Sequence, residues 1–169
     1  MQQHFKHSFA RCAILVAVGI VLGYVESIIF PQGLVYGIKI GISNIVVLFS
    51  LLYNGTKEAI LIGVLKSVLT GMIFSSVTAI IYSLFGIFLS VFIMSILKKI
   101  FYDKYISVLG ISIAGSAMFN LGQVIIACVI TKSFHCMFLL SYMLPFSVIT
   151  GIVTGIIVQL IFNKIKRGI

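Results

Sequence analysis

Residues 8–30 read SFARCAILVAVGIVLGYVESIIF, 23 positions whose only charges are Arg11 near the start and Glu26 near the end. A helix crosses a 30 Å hydrocarbon core with about 20 apolar residues. The stretch is therefore predicted to be a membrane-spanning helix, and the chain reads outward from it. Ala10, Ala13 and Ala17 fall on one face, and Gly19 and Gly23 continue a pattern of small residues. Such faces let helices approach closely in lipid, where hydrophobicity does not drive association. This one serves either packing within the chain or docking of a separate membrane subunit. The basic N-terminus followed by an apolar run imitates a signal peptide, but no small-x-small cleavage site precedes a soluble domain, so the span is expected to be retained.

More apolar stretches follow. Of 169 residues, 61% are hydrophobic and 9% charged, with a mean hydropathy of +1.26, whereas soluble proteins run near 45–50% apolar and about 25% charged. The expected fold is all-α, a polytopic membrane protein with a single transmembrane domain over 1–169. Its bundle of six helices is placed at roughly 8–30, 34–53, 57–75, 77–97, 106–131 and 136–162. Asn54-Gly55 and Ser75-Ser76 break the chain on either side of the third helix. Pro145 falls inside the sixth, where Gly151 and Gly155 make another small-residue face. The second helix is the least regular. Its apolar run, 42–53, has 12 residues and crosses only if it begins near Leu34, which carries Lys39 and Asn44 into the membrane's outer region.

Net charge is +9, with 12 Lys and Arg against Glu26, Glu58 and Asp103. In a soluble chain that balance suggests nucleic acid. Here the basic residues cluster at helix ends, so no nucleic-acid partner is expected, and orientation in the lipid bilayer is the better explanation. With the N-terminus cytoplasmic, Lys6, Arg11, Lys57, Lys98, Lys99, Lys104, Lys164, Lys166 and Arg167 lie inside. Lys39 and Lys132 lie outside, and Lys66 lies within the membrane. The expected location is the cell membrane, multi-pass, with both termini cytoplasmic. Cys12, Cys128 and Cys136 lack metal-site spacing and are read as packing residues.

Against this background the polar residues inside spans stand out, because hydrocarbon solvates neither an ammonium nor a carboxamide. Gly37-Ile38-Lys39-Ile40-Gly41-Ile42-Ser43-Asn44-Ile45 reads as the lip of a small-molecule pocket. Glu26 is the acidic residue placed within a span, and it pairs with Lys39, with Lys66 or with a ligand. Lys66, halfway along the third helix, carries an insertion cost of about 2.5–3.5 kcal/mol that something must offset. It either snorkels, pairs with Glu26 or meets a ligand. Asn120 and Gln123, three apart on the fifth helix, share a face. Both amides point into one cavity or bond a neighbouring helix. The candidate substrate-binding set is Glu26, Lys39, Asn44, Lys66, Asn120 and Gln123, suited to a small organic anion with hydrogen-bonding groups. No catalytic residue, metal site or cofactor is expected, and the chain carries no phosphate-binding G-x-x-x-x-G-K-[ST] loop.

These residues also carry a resemblance. The lysine, glycine and asparagine segment at 37–45, Glu26-Ser27, Glu58-Ala59-Ile60-Leu61 leading to Lys66-Ser67-Val68-Leu69-Thr70-Gly71, Tyr82-Ser83-Leu84-Phe85-Gly86, and Asn120-Leu121-Gly122-Gln123 resemble the membrane proteins catalogued as heptaprenyl diphosphate synthase component I, or the Gx transporter family. That family is in turn similar to the S components of energy-coupling-factor (ECF) transporters. The resemblance implies a six-helix, S-component-like substrate-binding subunit for uptake of a small anionic vitamin or cofactor precursor. A transmembrane coupling subunit and ATPases would be its partners. It also implies that Ala13-Ile14-Leu15-Val16-Ala17 matches the Ala-x-x-x-Ala face that meets the coupling subunit, so Ala13 and Ala17 are docking candidates. The family's enzymatic name points to an alternative, a non-catalytic membrane partner of prenyl diphosphate synthesis or a prenyl-lipid binder. The chain has one aspartate, Asp103, and the usual prenyl synthases hold magnesium through Asp-rich motifs, so an autonomous synthase is not expected.

Overall fold

The computed structural model describes residues 2–29, 41–101 and 106–167. They form α1 (Gln2–Ile29), α2 (Ile45–Tyr53), α3 (Thr56–Phe74), α4 (Val77–Phe101), α5 (Val108–Thr131) and α6 (Phe138–Arg167). Short 3-10 turns at Ile42–Asn44 and Phe134–Met137 precede α2 and α6, and there is no strand among the described residues. Among the described residues, four segments are long and apolar enough to cross a membrane: Ala10–Ile29, Val77–Ile100, Val108–Thr131 and Phe134–Ile165.

The other two helices fall short for different reasons. α3 has 19 residues, but Lys57, Glu58 and Lys66 interrupt its apolarity. α2 has 9 residues, and with its 3-10 turn it makes the short apolar piece Ile42–Tyr53. The expected beginning of that span near Leu34, and Lys39 with it, lies outside the described residues. Asn54-Gly55 and Ser75-Ser76 do separate the helices on either side of them, with Gly55 at φ 110°. Pro145 lies inside α6 without ending it. It removes one backbone donor, and close by the hydroxyls of Ser147 and Thr150 donate to the carbonyls of Leu144 and Phe146.

Burial differs from that of a soluble bundle at the surface and in the polar groups it encloses. Met72, Val77, Phe92 and Tyr142 point outward, while Lys66, Thr70, Ser83, Ser90, Ser112 and Thr154 are buried. This suits lipid, where outward apolar groups are well solvated and polar groups must find partners inside. Leu48, Leu51, Ile62, Ile87, Val91, Ile111 and Val158 form an apolar core joining α2 to α6.

Glycines set how closely the helices approach. A Cβ on Gly122 of α5 would stand 3.0 Å from the Gly86 Cα of α4, and one on Gly151 of α6 would stand 2.6 Å from the Ile113 Cα of α5. Ser112 and Thr154 share a 2.6 Å hydroxyl bond across the α5–α6 seam. On α1 the small-residue pattern divides in two. Gly19 and Gly23 are buried, facing Lys66 and Thr70 of α3, while Ala10, Ala13 and Ala17 remain exposed.

Lys98 plays a part that its place at a helix end does not announce. From α4 its Nζ donates to the carbonyls of Leu51 (2.7 Å) and Leu52 (3.2 Å), in the last turn of α2. A cation there satisfies orphan carbonyls and complements the helix dipole. Lys98→Ala is expected to lower stability by about 1–2 kcal/mol and to speed amide exchange at the C-terminal end of α2, both measurable in detergent micelles.

Candidate functional site

The polar cluster forms where α1, the 3-10 turn before α2, and α3 meet. Gly41 enters the turn with φ 98° and ψ 23°, a left-handed conformation that costs an L side chain about 1–2 kcal/mol. This bend turns the backbone N–H groups of Gly41 and Ser43 toward α1. Both donate to the Glu26 carboxylate, at 2.6 and 3.4 Å. The orphan amides at the start of a helix favour an anion, and here the chain supplies one from its own first helix.

Asn44 occupies the N-cap position of α2 yet makes no side-chain cap bond. Its Oδ1 instead accepts a 2.7 Å hydrogen bond from Lys66 Nζ, which also donates to Ser43 Oγ at 3.0 Å. The aliphatic stem of Lys66 runs past α1, where a Cβ on Gly19 would lie 3.3 Å from its Cδ. Glu26 is 2% exposed and Lys66 3%. Ser43 links the two, with its N–H directed to the carboxylate and its hydroxyl to the ammonium. A buried acid and a buried base thus share one short turn of chain.

Asn120 and Gln123 form a second group on α5, both 0% exposed. Asn120 Nδ2 donates to the carbonyl of Met143 on α6 at 3.3 Å. Phe119, the residue before Asn120, packs against the first group. A Cβ on Gly41 would lie 2.9 Å from Asn44 Nδ2 and 3.2 Å from the Phe119 ring, and one on Gly86 would lie 2.8 Å from that same ring. The aromatic ring therefore sits between Gly41 and α4.

Of the expected residues, Glu26, Asn44 and Lys66 come together through Ser43. Asn120 and Gln123 are buried on α5, where Asn120 bonds the Met143 carbonyl of α6, and Lys39 lies outside the described residues. The Glu26 carboxylate accepts from the backbone amides of Gly41 and Ser43, which no side-chain reading anticipates. Ser43 and Phe119 were not among the candidates. Ser43 had a signal, as a hydroxyl beside Asn44 in an apolar run; Phe119 had none. Among the described residues no three His, Cys, Asp or Glu side chains are grouped as a metal site would require.

A groove of about 530 Å³ lies apart from this cluster, against the outer surface of α3, α4 and α5. Phe85, Phe88, Phe92 and Ile125 line it over Gly122, and Thr56 and Ser95 share a 3.1 Å hydroxyl bond at its rim. Its lining is mostly apolar, unlike the polar turn. No curated protein and no solved structure matches the chain. The family model described as heptaprenyl diphosphate synthase component I matches residues 15–161, most of the length, and the chain belongs to that family.

Proposed function

We propose that this protein is the substrate-binding membrane subunit of an uptake system for a small anionic vitamin or cofactor precursor. It would be built like the S components of ECF transporters and energised by separate coupling and ATPase subunits. The observation that carries this reading is the buried set of Glu26, Ser43, Asn44 and Lys66. A bundle needing only cohesion gains little from an acid and a base in its interior, since apolar residues of similar volume do as well or better. Ionisable groups retained at membrane depth mark binding or transport pathways. Glu26 and Lys66 cancel in formal charge; Lys39, two residues before Gly41, is the additional cation for an anionic group.

In this reading the single domain over 1–169 crosses the membrane six times with both termini cytoplasmic, α2 and α3 completing the bundle. Lys66 carries its charge inside the protein rather than against lipid. Lys39 and Lys66 contact the anion, Asn44, Asn120 and Gln123 orient the ligand, and the exposed Ala13 and Ala17 receive the coupling subunit.

A second reading rests on the family's name and on the phenylalanine-lined groove. The protein would be a non-catalytic membrane partner of heptaprenyl diphosphate synthesis, holding a prenyl chain against α4. One experiment separates the two. Native mass spectrometry of the gently solubilised protein from its source membrane is expected to show a bound anionic metabolite together with a coupling subunit and ATPases. A soluble prenyl synthase in their place, with no such subunits, overturns the uptake reading and supports the second.

A further inference from the structure

The three cysteines are free, half-buried thiols, yet their surroundings differ. Cys12 of α1 lies 3.7 Å from the Glu58 carboxylate of α3. Cys128 and Cys136 lie on either side of the reversal from α5 to α6. α5 ends where Lys132 takes a left-handed conformation, φ 51°. There the amides of Lys132 and Ser133 both turn back to the Cys128 carbonyl, satisfying an orphan acceptor at the helix end. The Ser133 hydroxyl then accepts from the His135 amide and opens the 3-10 turn Phe134–Met137. This path returns Cys136 to the face of α5 that carries Cys128. Thr131, one turn beyond Cys128, shares that face, and its Oγ1 stands 3.3 Å from the Cys136 sulfur.

The order of protons in this cluster follows from the donors. The Thr131 hydroxyl has one proton and gives it to the Ala127 carbonyl at 2.8 Å. At the contact with Cys136 the thiol is therefore the donor, which leaves its sulfur lone pairs for the Cys128 thiol, with which it shares a hydrogen bond. We propose that Cys128 and Cys136 are an oxidisable pair that closes to a disulfide by exchange with a small disulfide compound, tying the end of α5 to the turn before α6. One thiol loses its proton to water and attacks the S–S bond of the compound, forming a mixed disulfide and releasing a thiolate. The second cysteine, once deprotonated, attacks the protein sulfur of that mixed disulfide, closes the internal bond and releases the other thiolate. Each released thiolate takes up one proton, so the pair loses two electrons and the compound gains two. Cys128 also lines a crevice of about 380 Å³ with Lys132, Ser133, Phe134 and Met137, through which the compound reaches the pair. With both termini cytoplasmic this reversal faces outside the cell, where disulfides persist, and Cys12 does not.

The test counts thiols on the full chain, purified in detergent with its cysteines reduced. The protein is incubated with oxidised glutathione, quenched with acid, unfolded in N-ethylmaleimide and weighed intact. Reduced chain is expected to carry three maleimide adducts, one for each cysteine. Oxidised chain is expected to carry one, on Cys12, with digestion placing a Cys128–Cys136 crosslink within the monomer. Three adducts after oxidised glutathione, glutathione retained on Cys128 and Cys136 together, a disulfide-linked dimer or a crosslink through Cys12 overturns the inference. The uptake reading is tested by copurifying molecules and subunits instead, so the two fail separately.

Discussion

Lys66→Met is expected to lower the unfolding free energy of the detergent-solubilised protein by about 3–5 kcal/mol, the range found when one member of a buried charged set is removed. Methionine keeps an unbranched stem to lie against Gly19, so the change isolates the ammonium. Its loss leaves Ser43 Oγ and Asn44 Oδ1 without the donor they share, and hydrogen bonds to a charged group contribute about 1.5–3 kcal/mol each. It also leaves the enclosed Glu26 carboxylate in a turn with one cation fewer. Asn44 is then free to rotate, and its Nδ2 no longer has a fixed direction. Equilibrium unfolding at fixed micelle composition checks the magnitude. A change under about 1 kcal/mol means that water or lipid headgroups solvate Lys66, and the buried cluster is then not a stabilising set.

The helices were legible because their signals are local. Apolar length defines α1, α4, α5 and α6, and the pairs Asn54-Gly55 and Ser75-Ser76 interrupt the apolar runs within a few residues. α2 was legible as an irregular segment for the same reason, since 12 apolar residues are too few to cross the bilayer unaided. The site was legible as residue types and opaque as partnerships. A lysine in mid-span announces that something compensates it, but not that the partners are Ser43 and Asn44, more than 20 positions away. Glu26 bonds backbone amides, and every residue except proline has one, so no sequence pattern singles out Gly41 and Ser43 as donors. Lys98 reads as one of several basic residues at a helix end, where orientation alone accounts for it. Its bond to the last turn of α2 depends on how α4 packs there. Gly19 and Gly23 were readable as a close-packing face, and their partners on α3 became known only with the fold.

The double variant Glu26→Gln/Lys66→Met is expected to be more stable than Lys66→Met alone by about 1–3 kcal/mol, the usual coupling between groups in one buried network. Glutamine retains a carbonyl oxygen that can accept from Gly41 and Ser43, the two amides now directed to the carboxylate. It removes the charge and keeps the backbone anchor. Each single change leaves one buried charge of the set without its opposite, whereas the double change removes both together, and neutral replacement of a buried ion pair is commonly tolerated. Strictly additive losses in the four-member cycle would show that Glu26 and Lys66 act independently, each satisfied by its own neighbours. The functional consequence runs the other way. If Lys66 is an anion contact, the double variant regains part of the stability lost in Lys66→Met yet copurifies with no small molecule under native mass spectrometry. Recovered stability with retained ligand would assign the charged pair to architecture alone and move the recognition of the anion to Lys39. Stability regained while binding is lost gives Lys66 a part in recognition, directly or through the Asn44 amide that it holds.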